Sequence, residues 1–209
     1  MALRNILAIS MLMCRLASAV KMPYPAAPSL ELDPDEMEFI PVEGMPTFEE
    51  LGFTTHDLFD PVWRTKHGLP VNETEDAAFF KPSSDSSLEK RWDDVCEKGR
   101  PGGTMGGLYA CRDYLAALGQ QGQSCSAPYQ QYTEYCNFNV WGRVTKVYGT
   151  SLKRYSTASS CTDVSRAVQF ALTCVNSLCL NNPADNCGAG RSQAAAYGNG
   201  DLIVINESG

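Results

Sequence analysis

Histidine is absent after His67, cysteine is absent between residues 20 and 95, and no apolar run reaches the length of a membrane span. Each gap excludes something. A span needs about 20 consecutive apolar residues. The one apolar stretch, Ile6 to Cys14, is closed by Arg15. The only histidines of the 209 residues are His56 and His67. Everything downstream of them therefore lacks Ser-His or Cys-His nucleophiles and the HExxH metal site. The chain carries 17 Lys and Arg against 24 Asp and Glu. Phosphate binding normally shows as a basic excess, so nucleic acid is not expected as a partner.

What is present divides the chain in three. Met1 to Arg4 is short and basic, Ile6 to Cys14 is apolar, and Ala17-Ser18-Ala19 places small residues where a signal peptidase reads. That order is expected of a secretory signal over residues 1–19. Residues 20–91 hold nine of the twelve prolines, fifteen of the 24 acids and no cysteine. This composition predicts an acidic, Pro-rich pro segment that is largely disordered. Asn72-Glu73-Thr74 within it is a glycosylation sequon at Asn72. Lys90-Arg91 closes the segment just before Trp92, and a dibasic pair at a compositional break is what Kex2- or furin-like convertases cut. Signal peptidase and such a convertase are thus the expected partners in maturation. Lys153-Arg154 is also dibasic but lies within the cysteine-rich part, where a charged loop is the simpler reading.

Residues 92–209 contain Cys96, Cys111, Cys125, Cys136, Cys161, Cys174, Cys179 and Cys187. An even count in one short segment behind a signal peptide reads as a disulfide framework. Zinc would want closer pairs or histidine partners, so no metal and no cofactor are expected. Nine acids face nine bases here, so the net charge of -7 belongs to the segment before it. The glycine-rich Gly99 to Gly107 reads as a loop and lacks the Gly-Lys-Ser/Thr ending of a phosphate loop. Leu108, Cys111, Leu115 and Leu118 predict a helix ended by Gly119. Tyr132 to Tyr148 reads as strand, with Phe138, Val140 and Val144 on one face, Trp141 on the other and a bulge at Gly142. Ser160 with Asp163 suggests a helix start, and Val164, Val168, Ala171, Val175 and Leu178 extend that helix over 163–178. Gly198-Asn199-Gly200-Asp201 then reads as a tight turn before Leu202-Ile203-Val204-Ile205. The order predicts a small α+β, disulfide-stapled sandwich: an antiparallel sheet with two helices on one face.

The valine-rich strand, Ser159-Ser160-Cys161, the helix bearing Cys174, the loop cysteine and the strand introduced by Gly-Asn-Gly-Asp resemble small secreted fungal proteins, within them the α/β killer-toxin-like effector fold. The resemblance implies a secreted toxin or virulence effector that binds a target on a host or competitor, with a membrane or cell-surface receptor as one candidate. It carries over no functional residue. Dense aromatics offer recognition surface, and Trp141 and Tyr148 are the candidate binding residues. The rival reading is a carbohydrate-active enzyme, which needs two carboxylates roughly 5 to 10 Å apart. Its candidates are Asp93, Asp94, Glu97, Asp113, Glu134, Asp163, Asp185, Asp201 and Glu207. Asp113 beside Arg112 reads as solvated helix surface, and no spacing brings two acids together, so no catalytic residue is assigned.

The eight downstream cysteines are expected to form four intramolecular bridges. Thiol labelling of the secreted protein under denaturing, non-reducing conditions should find no free thiol. Two or more labelled cysteines would contradict the framework.

Overall fold

In a computed structural model of the chain, residues 33–80, 92–174 and 188–209 are described. Lys90, Arg91, Cys179, Cys187, Asp185 and the predicted signal lie outside the described residues.

Strand β1 (Met37–Phe39) and four short helices come first: α1 (Phe48–Leu51), α2 (Thr55–Phe59), α3 (Pro61–Lys66) and α4 (Glu73–Phe79). The cysteine-rich part follows as β2 (Val95–Thr104), α5 (Met105–Gln120), β3 (Ser124–Ala127), β4 (Thr133–Val140), β5 (Arg143–Ser151), β6 (Thr157–Ser160), α6 (Cys161–Ala171), β7 (Gly188–Ala196) and β8 (Asn199–Ser208). One antiparallel six-stranded sheet has the order β1-β4-β5-β8-β7-β2, and β3 pairs with β6 separately. Helices α5 and α6 lie against each other and cover one face of the large sheet. This is the expected α+β sandwich.

The expectation of a largely disordered segment fails for residues 33–80. Its acids and prolines are helix-start chemistry. Thr47 and Glu50 form a reciprocal capping box on α1. Asp57 accepts from both Thr54 N and Thr54 Oγ1. Asp60 caps α3, whose first residue is Pro61, where a missing N–H costs nothing. Asn72 caps α4 through Glu75 N. The apolar residues between the caps, Phe48, Phe53, Leu58, Leu69 and Phe80, are buried. Fully burying a side chain of this size contributes about 1.5–3 kcal/mol.

Among the described residues three bridges fasten the cysteine-rich part. Cys111–Cys136 ties α5 to β4, Cys125–Cys161 ties β3 to the start of α6, and Cys96–Cys174 ties edge strand β2 to the chain just beyond α6. With sequence separations of 25, 36 and 78, loop closure gives each about 3.5 to 4.5 kcal/mol against the open chain.

Local readings shift where packing overrides them. Gly99 to Thr104 is bulged strand, and Met105 to Gly107 already form the first turn of α5. A Cβ on Gly107 would sit 2.3 Å from Thr145 Oγ1, so glycine permits the approach. The predicted strand 132–148 is a hairpin. Its register Val140↔Arg143 makes Trp141 and Gly142 the two turn residues, both with positive φ. That turn moves Val144 off the Phe138 face and opposite Asn139. Helix α6 begins at Cys161, with Ser160 Oγ accepting from Thr162 N, while Asp163 pairs with Arg166 instead of closing a capping box. It ends at Ala171 with Leu172 as its C-cap. The predicted continuation over 175–178 lies outside the described residues. The last hairpin turns at Tyr197-Gly198, because Asn199 donates through Nδ2 to Thr157 Oγ1 and Ala158 O and so bridges to β6.

Gly119 is where α5 meets α6: an added Cβ would lie 2.1 Å from Thr162 N. In an exposed helix Gly119→Ala would add about 1 kcal/mol of stability. Here the clash should reverse the sign and destabilise by about 1–3 kcal/mol, measurable by chemical denaturation. A stabilised variant would contradict this helix contact.

Candidate functional site

Helix α5 explains why residues 33–80 dock. Thirteen of its sixteen residues are buried, so it presents no solvated face. A helix apolar all round must be covered all round. The sheet covers one side and α6 another; residues 33–80 cover the rest. Phe39 stacks on Phe48 with ring centroids 4.2 Å apart, and both rings contact Tyr114 of α5 and Phe138 of β4. Tyr114 Oη donates to Pro46 O at 2.6 Å. Strand β1 pairs along β4, Met37 opposite Val140 and Phe39 opposite Phe138.

The two charges of α5 lie inside this interface and not on a solvated surface, which corrects the sequence reading. Arg112 and Asp113 are 3% and 2% exposed. Arg64 of α3 donates from Nη1 to Asp113 Oδ2 at 2.6 Å and to Leu58 O at 2.6 Å, and from Nε to Pro70 O at 2.7 Å. Arg112 donates from Nε to Asp113 Oδ1 at 2.8 Å, and from Nη1 to Asp76 Oδ2 at 2.9 Å and Gln169 Oε1 at 2.7 Å. Its guanidinium lies 4.2 Å above the Phe80 ring. Burial alone would lower the Arg112 pKa, but Asp113 and Asp76 outweigh it and hold it raised. Burial raises the Asp76 carboxyl above its usual value, with Arg112 opposing and Asp113 adding to the rise. Arg166 of α6 completes the seam, donating to Phe79 O at 3.0 Å.

The sheet face opposite α5 and α6 is of another kind. Cross-strand register sets Glu134 opposite Tyr148, Lys146 opposite Glu207 and Arg191 opposite Glu97, so β4, β5, β8, β7 and β2 each bring one charge to this face. Lys146 lies 3.7 Å from Glu134, Arg191 reaches Glu207 at 3.2 Å and also pairs with Glu97, and Arg100 holds Glu97 at 3.0 Å. Burial raises the Glu97 carboxyl, yet hydrogen bonds from Arg100 and Gln193 and the charge of Arg191 bring it below its usual value. Tyr148 stands beside these charges. Burial, then the charges of Glu134 and Glu207, push its pKa up to about 12. The Tyr132 ring, 66% exposed, meets Tyr148 edge-on at 6.2 Å.

The candidate residues are therefore scattered. Trp141 occupies the β4–β5 turn near β1, whereas Tyr148 lies five residues along β5 from its first residue, Arg143, at about 3.3 Å per residue, so the two do not form one patch. Asn72 is exposed and its Nδ2 donates to Glu75 Oε1. Asp163 pairs with Arg166, and Asp201 with Lys153 at 2.7 Å. Lys153 of the second dibasic pair is thus engaged, and it lies 5.6 Å over the Tyr155 ring. Glu97, Glu134 and Glu207 do share one face, a grouping missed in the sequence because it depends on cross-strand register. Among the described residues no cluster of three His, Cys, Asp or Glu side chains could hold a metal ion, and no helix is long and apolar enough to cross a membrane.

Fold and bridges define a small cysteine-rich α+β protein. Compared with protein-family models, curated proteins and solved structures, the chain matches none.

Breaking a buried pair leaves an uncompensated charge. Arg64→Ala, which keeps Arg112 beside Asp113, should still cost about 3 kcal/mol in chemical denaturation. Asp76→Asn separates the pH effect. A carboxyl raised on folding contributes most below its unfolded pKa and loses that contribution as pH rises through the folded value. Wild type should therefore lose stability relative to Asp76→Asn between pH 3 and pH 7. The opposite slope would mean that the Arg112 contact outweighs burial.

Proposed function

We propose that the chain is a secreted precursor, cut after Lys90-Arg91, whose product acts by binding a target on another organism as a toxin-like or virulence effector protein. The observation that carries this reading is the Tyr132–Tyr148 pair beside paired charges on the sheet face opposite the helices. Aromatics held rigidly on a stapled sheet give contact area at little entropic cost. The three bridges fit an oxidising compartment. The cysteine-rich part runs β2, α5, β3, the β4–β5 hairpin, β6, α6 and the β7–β8 hairpin, and its two helices each followed by a hairpin are in keeping with the killer-toxin-like resemblance. The carbohydrate-active alternative would have to draw on Glu97, Glu134 and Glu207. Each of these already pairs with a cation.

Two measurements test the proposal. N-terminal sequencing of secreted material should find a chain beginning at Trp92; a single chain running from Val20 to Gly209 overturns the cut. Purified protein applied to host tissue and to competing fungi should lose about 30-fold in potency with Tyr148→Ala or Tyr132→Ala, the size of a binding hot spot. Glu134→Gln and Glu207→Gln should stay within about threefold. A loss of about 100-fold or more from one carboxylate change, with the fold intact, would favour the enzyme.

A further inference from the structure

We propose that residues 33–80 are a lasting subunit and not a discarded leader: after a cut at Lys90-Arg91 they stay bound, and the secreted protein is a noncovalent heterodimer of an acidic N-terminal chain and a disulfide-stapled C-terminal chain. The cut is the one given under Proposed function; the docking stands independently of it.

Covalent retention is excluded by composition, since residues 20–95 hold no cysteine. Three independent contacts replace it. Strand β1 extends the large sheet along β4, and Ile40 N donates to Asn137 O at 3.0 Å just beyond the pairing. Phe39, Phe48 and Phe53 form an aromatic cluster against Tyr114 and Phe138, which are both fully buried. Ion pairs cross the seam in both directions, Arg64 to Asp113 and Asp76 to Arg112. Departure of the segment would expose Tyr114, Phe138 and Val140 together, open β4 as a sheet edge, and uncover the Arg112–Asp113 pair. Exposed edges of that kind invite aggregation, so a leader meant to leave would be poorly built this way.

Position and charge agree. The dibasic pair lies between Phe80, the last docked residue, and Trp92, so a cut there severs no described element. Residues 33–80 carry twelve acids against Arg64 and Lys66, whereas residues 92–209 carry nine of each sign. A heterodimer is thus strongly acidic at pH 7, and the free C-terminal chain is close to neutral.

The test replaces residues 83–91 of the full chain with a site-specific protease sequence and cuts the purified protein, so that it does not depend on natural processing. Denaturing, non-reducing electrophoresis should show two chains. Native mass spectrometry and size-exclusion chromatography at micromolar concentration should show one species of the combined mass, migrating as an acidic particle in native electrophoresis. Phe48→Ala with Arg64→Ala should raise the dissociation constant of the cut protein at least tenfold. Separation of the unsubstituted cut protein into two species, the larger near-neutral, overturns the proposal. If natural secreted material proves uncut while the engineered cut protein stays together, the processing site is wrong and the docking is right.

Discussion

Helix α5 is buried on every side, and that constraint sets the rest of the molecule. Cys111 fastens it to β4, Thr104 caps it from the end of β2, and Gly119 lets α6 approach its last turn. Among the described residues, it is 33–80 that close the remaining side. The two charges on the helix then become assets, because Arg64 and Asp76 supply what burial would otherwise cost. The guanidinium of Arg64 ties Asp113 to Leu58 O and Pro70 O at once.

The molecule therefore has two faces with different physics. Around α5 the contacts are buried, aromatic and charge-paired, the character of a permanent interface. On the opposite sheet face, charges alternate across five strands and satisfy one another, leaving Tyr132 and Tyr148 as the aromatic feature there. The groups of this second face reach solvent without unfolding anything, which is why the proposed recognition surface is placed there. Trp141 is a separate matter. A bulky residue at positive φ is uncommon and costs conformational energy, and here the two-residue β4–β5 turn requires it.

Composition misjudged residues 33–80 for a definite reason. Acids and prolines are counted as disorder-promoting, yet Glu50, Asp57, Asp60 and Glu75 act at helix starts and Pro61 opens α3. Four helices of four to seven residues are too short to stand alone, so no periodicity announces them. Their stability comes from the surface beneath, which a one-dimensional pattern does not represent. The signal was on the other partner: Leu108 to Leu118 offers only Arg112 and Asp113 as polar surface, too little for a helix with a solvated face.

By itself the sequence determined the α+β class, the two long helices with the Ser160 start, the paired strands at the end and a disulfide-rich C-terminal part. These follow from short-range chemistry: capping hydroxyls, apolar spacing and cysteine count. Only tertiary structure decided which cysteines pair, where both hairpins turn, that Glu97, Glu134 and Glu207 share a face, and that residues 33–80 complete the core. Each depends on which surfaces meet across the chain, and such meetings are set by register and packing between segments far apart in sequence, where local patterns carry no information.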